Sequence, residues 1–168
     1  MDVGALLVEL FGRIPAAVGG GLEGLDPADL RRAPAGGNPI GWLGWHLARV
    51  LDDHIAHAFD LEQVWVRDGW APRFGFAPDA LDTGYGHTRD QVAAVAPEDP
   101  QTVLDYLLAT LDQAHKYVGV VRAADLDQVV DTSYDPPVTL GVRLVSVAED
   151  CLQHAGQLGY VRGLLARD

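Results

Sequence analysis

Asn38-Pro39-Ile40-Gly41-Trp42-Leu43-Gly44-Trp45-His46-Leu47-Ala48-Arg49 is the stretch on which the fold turns. It opens on a helix-start signal, a capping-type residue followed by proline in the first helical position. Apolar residues then recur at three/four spacing: Ile40, Leu43, Leu47, Val50, Leu51, Ile55 and Phe59. That pattern predicts a long helix running to about Val66. One ionisable ring, His46, sits inside the apolar run. Trp42, His46, Val50, Asp53 and His57 share one narrow stripe, while His54 lies about 80° from His46 around the axis.

Helix signals also dominate on either side. Asp2 can cap a first helix carrying Leu6, Leu7, Leu10, Phe11 and Ile14, with Gly19-Gly20-Gly21 as its stop. Asp26-Pro27-Ala28-Asp29 opens a short helical turn before a loop around Pro34-Ala35-Gly36-Gly37. Gly69 to about Tyr85 reads as an ordered loop, and His87–Ala96 as a short helix. Asp99-Pro100 starts another long helix, with Val103, Leu104, Leu107, Leu108, Leu111, Ala114 and Val118 facing the core. Residues 123–137 read as a connection. Thr139 can cap a last helix to about Ala166, although a short strand within 138–147 is also compatible. Four long helices with two longer connections make an all-α helix bundle, and the 168 residues form one domain, residues 1–168.

Composition narrows the partners. The formal net charge of -12 disfavours nucleic acid and anionic membrane surfaces, because phosphate binding needs clustered basic residues. A single cysteine rules out an intrachain disulfide. The N-terminus lacks the pattern of a secretory signal, and no run looks long and apolar enough for a membrane span, so a cytoplasmic location is expected. Neither a phosphate-cradling glycine motif nor a nucleophile-elbow serine is present.

The last helix carries the second chemical signal, Asp150 and His154 in Glu149-Asp150-Cys151-Leu152-Gln153-His154-Ala155-Gly156-Gln157. A spacing of four places both side chains on one helix face, about 40° apart. A second helix bringing an imidazole such as His46 would complete a His/carboxylate/His set with open positions, which suits a divalent metal. The plain reading is a surface pair, or a buried pair answered by Arg49, Arg143 or Arg162. For His46 the plain reading is a core histidine bonded to a carbonyl or to Asp53. Asp53 and His54 read either as a solvated patch or as an orienting carboxylate and a proton-transfer group. Cys151 points about 100° away from Asp150 and reads as a buried structural thiol. His87 and His115 have no partner at ligand spacing. The loop from Trp65 to Phe76 either caps the end of the bundle or walls a pocket, with Arg73 as an anion contact.

These motifs resemble the DinB-like superfamily of metal-binding four-helix bundles. The resemblance lies in Asn38–Arg49 with Asp52-Asp53-His54, in Arg67-Asp68-Gly69-Trp70-Ala71-Pro72-Arg73-Phe74-Gly75, and in Asp150–Gln157. It is nearest to an actinobacterial branch related to mycothiol-dependent maleylpyruvate isomerases. It implies an up-down-down-up bundle, a homodimer, and a divalent metal, zinc or nickel, held by His46, Asp150 and His154. Relatives carry His, or Glu in the maleylpyruvate isomerases, where this chain has Asp150. An aspartate is shorter than Glu by one methylene, so its reach is for the structure to decide. The activity implied is transfer or isomerisation on a small electrophile by a low-molecular-weight thiol such as mycothiol. His54 and Asp53 would handle protons, and Arg73 or Arg49 would bind an anionic group. A non-catalytic metal- or ligand-binding bundle and a metal-dependent hydrolase are the alternatives.

Overall fold

The computed structural model describes residues 1–166 and is mostly helical. Its seven α-helices are α1 (Val3–Phe11), α2 (Ile14–Leu22), α3 (Ile40–Phe59), α4 (Val64–Arg67), α5 (Arg89–Ala94), α6 (Pro100–Val118) and α7 (Leu140–Leu165). Two short antiparallel strands, β1 (Val129–Asp131) and β2 (Val138–Thr139), pair just before α7. The strand considered within 138–147 is therefore confined to two residues, and Thr139 caps the helix that takes up the rest.

The long helices start where capping chemistry puts them. The Asp2 carboxylate accepts from the Ala5 N–H at 2.8 Å, and the Asp99 carboxylate from the Thr102 N–H at 2.7 Å with Pro100 behind it. Each satisfies a donor that the first helical turn would otherwise leave orphaned.

Helix α3 is the axis of the molecule and packs against both α7 and α6. The sequence pattern predicts an apolar stripe, but every residue from Ile40 to Asp52 is buried, so the helix is enclosed all round. This enclosure brings Trp45, His46, Arg49 and Asp52 inside together.

The helix predicted to reach Val66 ends at Phe59. Asp60 adopts a left-handed conformation, φ 54° and ψ 54°, and its N–H bonds back into the last turn. The chain restarts at α4, whose first two N–H groups, of Val64 and Trp65, donate to the buried Asp52 carboxylate at 2.8 and 2.7 Å. Tertiary capping thus redirects a segment whose local pattern alone continued.

The N-terminal helix is also divided, at Gly12-Arg13, and continues through the glycines expected to stop it. A Cβ on Gly21 would lie 2.0 Å from the Leu158 side chain, so the glycine serves close packing of α2 on α7. By length and composition Val3–Leu22 could cross a membrane, against the expectation above. In this fold it forms two nine-residue helices whose Phe11, Ile14, Val18 and Leu22 belong to the core. Nine residues reach only about 14 Å, short of a membrane's hydrocarbon thickness.

Candidate metal centre

Packing of α3 on α7 brings His46, Asp150 and His154 together. One potential ligand atom from each lies within 4.8 Å of the others. The two imidazoles meet edge to face with ring centres 4.7 Å apart. His154 Nε2 stands 3.5 Å from an Asp150 carboxylate oxygen. That is long for a hydrogen bond. It matches the separation of roughly 3.3 Å expected for two ligands about 2.0–2.1 Å from one tetrahedral zinc. Asp150 therefore reaches the cluster despite its shorter side chain.

Both histidines are oriented by their second nitrogen. His46 Nδ1 lies 2.5 Å from the Thr83 carbonyl oxygen, which can only accept, so Nδ1 carries the proton and Nε2 a free lone pair. His154 Nδ1 is 2.9 Å from Gln157 Oε1, with the same consequence. Such bonds fix tautomer and ring angle in metal sites. The other Asp150 oxygen, Oδ2, is buried without a hydrogen-bond partner. A buried carboxylate oxygen is costly to leave unanswered, and none of the arginines considered as its partner answers it. Arg49 binds the Ala80 and Asp82 carbonyls and the Tyr106 hydroxyl, Arg143 binds His54 and Asp131, and Arg162 binds the Glu23 carbonyl. Two free imidazole lone pairs and an unmatched carboxylate oxygen fit a divalent metal.

The two rings differ in protonation. Burial, the largest influence on His46, lowers its pKa against the Thr83 bond, favouring the neutral, ligating form. Burial also acts to lower His154, but the neighbouring Asp150 carboxylate outweighs it and raises the pKa, so His154 must give up a proton before it can ligate. Burial acts to raise Asp150, while the neighbouring His154, with His46 and His54 beyond it, brings it down. Burial pushes the Cys151 thiol far up, and its sulfur faces the Leu47 carbonyl, so it is inert structural packing.

A segment without regular secondary structure, residues 76–88, closes over this cluster, and several of its residues escape the sequence reading. Gly84 has φ +89°, and a Cβ there would lie 2.8 Å from the Trp45 ring and 2.9 Å from His46 Nδ1. Asp82 holds the turn, accepting from the Gly84 N–H at 3.0 Å. His87, which has no partner at ligand spacing in the sequence, is wired into the site. Its Nδ1 accepts from the Trp42 indole N–H at 3.2 Å, which leaves Nε2 to donate to Asp82 at 2.8 Å. Trp42 in turn stacks on His46 at 4.5 Å between ring centres. The sequence signal was the run Asp82-Thr83-Gly84-Tyr85-Gly86-His87, a turn-forming carboxylate between glycines. Gly84→Ala is expected to destabilise the protein by more than about 1 kcal/mol, since alanine is strained at positive φ and has no room. Thermal unfolding of the variant, read alongside metal content, checks this; an unchanged melting temperature would contradict the close approach.

The other predicted residues are less central. His54 lies outside the triad; its Nδ1 accepts from Arg143 at 2.9 Å, and burial and then that arginine's charge lower its pKa. Asp53 accepts from Gln63 at 2.8 Å and stands 3.6 Å from His54. Arg73 is not brought to the cluster. It pairs with Glu98 at 3.1 Å, donates to Thr102 at 2.9 Å and lies over Trp70. Arg49 is fully buried and spent on loop carbonyls, so it faces no substrate. The aromatics of the Trp65–Phe76 segment pack inward, with Phe74 and Phe76 against Trp65 and Phe76 also on Trp45.

Residues 7–167 match the family model described as mycothiol-S-transferase. A solved structure, titled a conserved protein of locus from Enterococcus faecalis, superposes with a TM-score of 0.89 at 30% identity. The match covers 100% of this chain and 99% of that one. No curated protein matches. With nearly the whole chain matched, the protein belongs to the mycothiol-S-transferase family, one of the DinB-like families.

Proposed function

We propose that the protein is a metal-dependent S-transferase that joins a low-molecular-weight thiol, mycothiol or a close analogue, to a small electrophile. The observation that carries this reading is the His46–Asp150–His154 cluster with its unmatched carboxylate oxygen, in a chain of this family. A divalent ion, zinc or nickel, would lower the thiol pKa and hold the thiolate as nucleophile. His46 Nε2, His154 Nε2 and the Asp150 carboxylate would hold that ion. Thr83 and Gln157 keep the two rings in the ligating tautomer. Trp42 and the Gly84 turn shield the His46 side of the cluster from water. His54, within electrostatic reach of Asp150, would take the thiol proton at Nδ1 on releasing Arg143, with Asp53 alongside to orient it.

The same reading extends to architecture and assembly. The paired helices α1 and α2 with α3, α6 and α7 would make the up-down-down-up bundle of the family. Val142, Val145, Leu152 and Tyr160 lie exposed along one side of α7, around the Glu149–Gln153 pair, and this is the surface through which a homodimer would form.

The test is turnover of a thiol with an electrophile by protein purified without a chelating tag, with its metal content measured. Thiol-dependent product that disappears on chelation and returns with zinc or nickel is expected. Hydrolysis of esters or amides without thiol would favour a hydrolase instead. Stabilisation by metal with no turnover would favour a non-catalytic bundle. Apparent metal affinity should fall as pH is lowered, because both imidazoles must be unprotonated to ligate. The decline should begin above the ordinary imidazole value of 6.5, since Asp150 raises His154. Metal titrations at successive pH values check this; an affinity independent of pH would contradict histidine ligation.

A further inference from the structure

A cavity lies one aromatic layer from the metal centre. It has a volume of about 420 Å³ and is walled by the turn after the short 3-10 helix Asp29–Arg31, the residues leading into α3, and α5. Its inner wall is His87, which bonds Trp42, the ring stacked on His46. Its cationic groups are Arg31 and Arg89, and no acidic residue lines it. This is unusual in a chain with 24 acidic and 12 basic residues. Among the described residues, Arg31 and Arg89 form neither an ion pair nor a side-chain hydrogen bond, whereas Arg13, Arg32, Arg67, Arg73, Arg122 and Arg143 are each paired with a carboxylate. Pro39, Val92 and Val95 supply an apolar side, and Asn38 adds one neutral polar side chain.

We propose that this cavity binds a small organic anion, a carboxylate on an apolar body, with Arg31 and Arg89 holding the charge. Guanidinium groups recognise carboxylates by paired, charge-assisted hydrogen bonds. The apolar wall takes the body, as in most small-molecule sites. His87 does not compete for the charge, because Trp42 and Asp82 occupy both of its nitrogens. Its role is to couple the cavity to the Trp42–His46 stack. The anion pocket stands on its own geometry. That its occupant is the electrophile rests on the proposed S-transferase reading, and it replaces Arg73 and Arg49 as the anion-recognising groups.

The experiment is calorimetric titration of the full chain with benzoate and with benzyl alcohol, its neutral counterpart. The comparison includes wild type, Arg31→Gln, Arg89→Gln and the double variant, with metal content measured on each sample. Both arginines are exposed, so the variants should keep the wild-type melting temperature. Benzoate should bind wild type at least tenfold more tightly than the alcohol, and each substitution should weaken benzoate about tenfold while leaving the alcohol unchanged. In nitrogen–proton spectra the Trp42 indole N–H should shift on adding benzoate. Equal binding of acid and alcohol, or benzoate binding indifferent to both substitutions, overturns the pocket. A metal-free protein that still binds benzoate through the arginines supports the pocket and fails the metal reading, so the two are separable.

Discussion

Asp150→Ala is expected to lower divalent-metal affinity by at least about 100-fold, leaving protein purified without a chelating tag nearly metal-free. Loss of a supporting residue around a metal typically costs 10–100-fold, and removal of a ligand itself should cost no less. Asp150 brings the only negative charge to a cluster of two imidazoles, and its unmatched Oδ2 is the group most in need of a cation. Asp150→Asn separates charge from shape, since it keeps the side-chain volume and should still lose most of the metal. His46→Ala and His154→Ala should behave alike, because each supplies one Nε2 lone pair. Elemental analysis and competition with a chromophoric chelator read the effect. Metal content unchanged in Asp150→Ala would sink the assignment. In protein kept metal-free, Asp150→Asn should change stability little, whereas a purely structural role would show as a large drop in melting temperature.

Asp52→Ala is expected to be the most destabilising single change in the molecule, by about 3–5 kcal/mol, the range for breaking a buried ion pair by removing one partner. The Asp52 carboxylate accepts from the Val64 and Trp65 N–H groups and from the Tyr106 hydroxyl at 2.9 Å, with Arg49 at 3.5 Å. Removing it strands a guanidinium with no solvent exposure and unties the start of α4. Arg49 also holds the loop over the metal centre through the Ala80 and Asp82 carbonyls, each at 3.0 Å. The damage should therefore spread to metal binding. Burial dominates the Asp52 ionisation and raises its pKa against these partners. A carboxylate raised on folding contributes its penalty fully above the folded pKa, and the penalty disappears below the ordinary value of 3.8. Denaturant unfolding of wild type and variant measures the difference. A loss below about 1 kcal/mol would mean that water replaces the carboxylate and that the network is not closed.

Much of this was legible before any tertiary contact. The Asn38–Arg49 stretch, the Asp99-Pro100 start and the Thr139 cap mark long helices because capping and periodicity are local properties. Asp150 and His154 form a pair because helical spacing alone places them on one face. His46 as their partner rested on a family resemblance, since periodicity could not choose among His46, His54 and His57. The left-handed break at Asp60 was hidden because its cause, the Asp52 carboxylate on Val64 and Trp65, lies outside the local window. His87 was hidden for the same reason: its partners Trp42 and Asp82 are set by how residues 76–88 fold back on α3.

The amino-acid sequence by itself determined a helical chain, two half-sites on separate helices, and a charge that turns the molecule away from nucleic acid. Those properties follow from backbone hydrogen bonding, residue period and formal charge, which act over a few residues or need no geometry. Only the tertiary structure decided that Asp150 reaches the histidines, that Arg49 and Arg73 are spent on internal partners, and that Arg31 and Arg89 are left facing one cavity. Those outcomes depend on which helices pack together and how far each side chain then has to reach, and residue spacing along one chain carries no such distances.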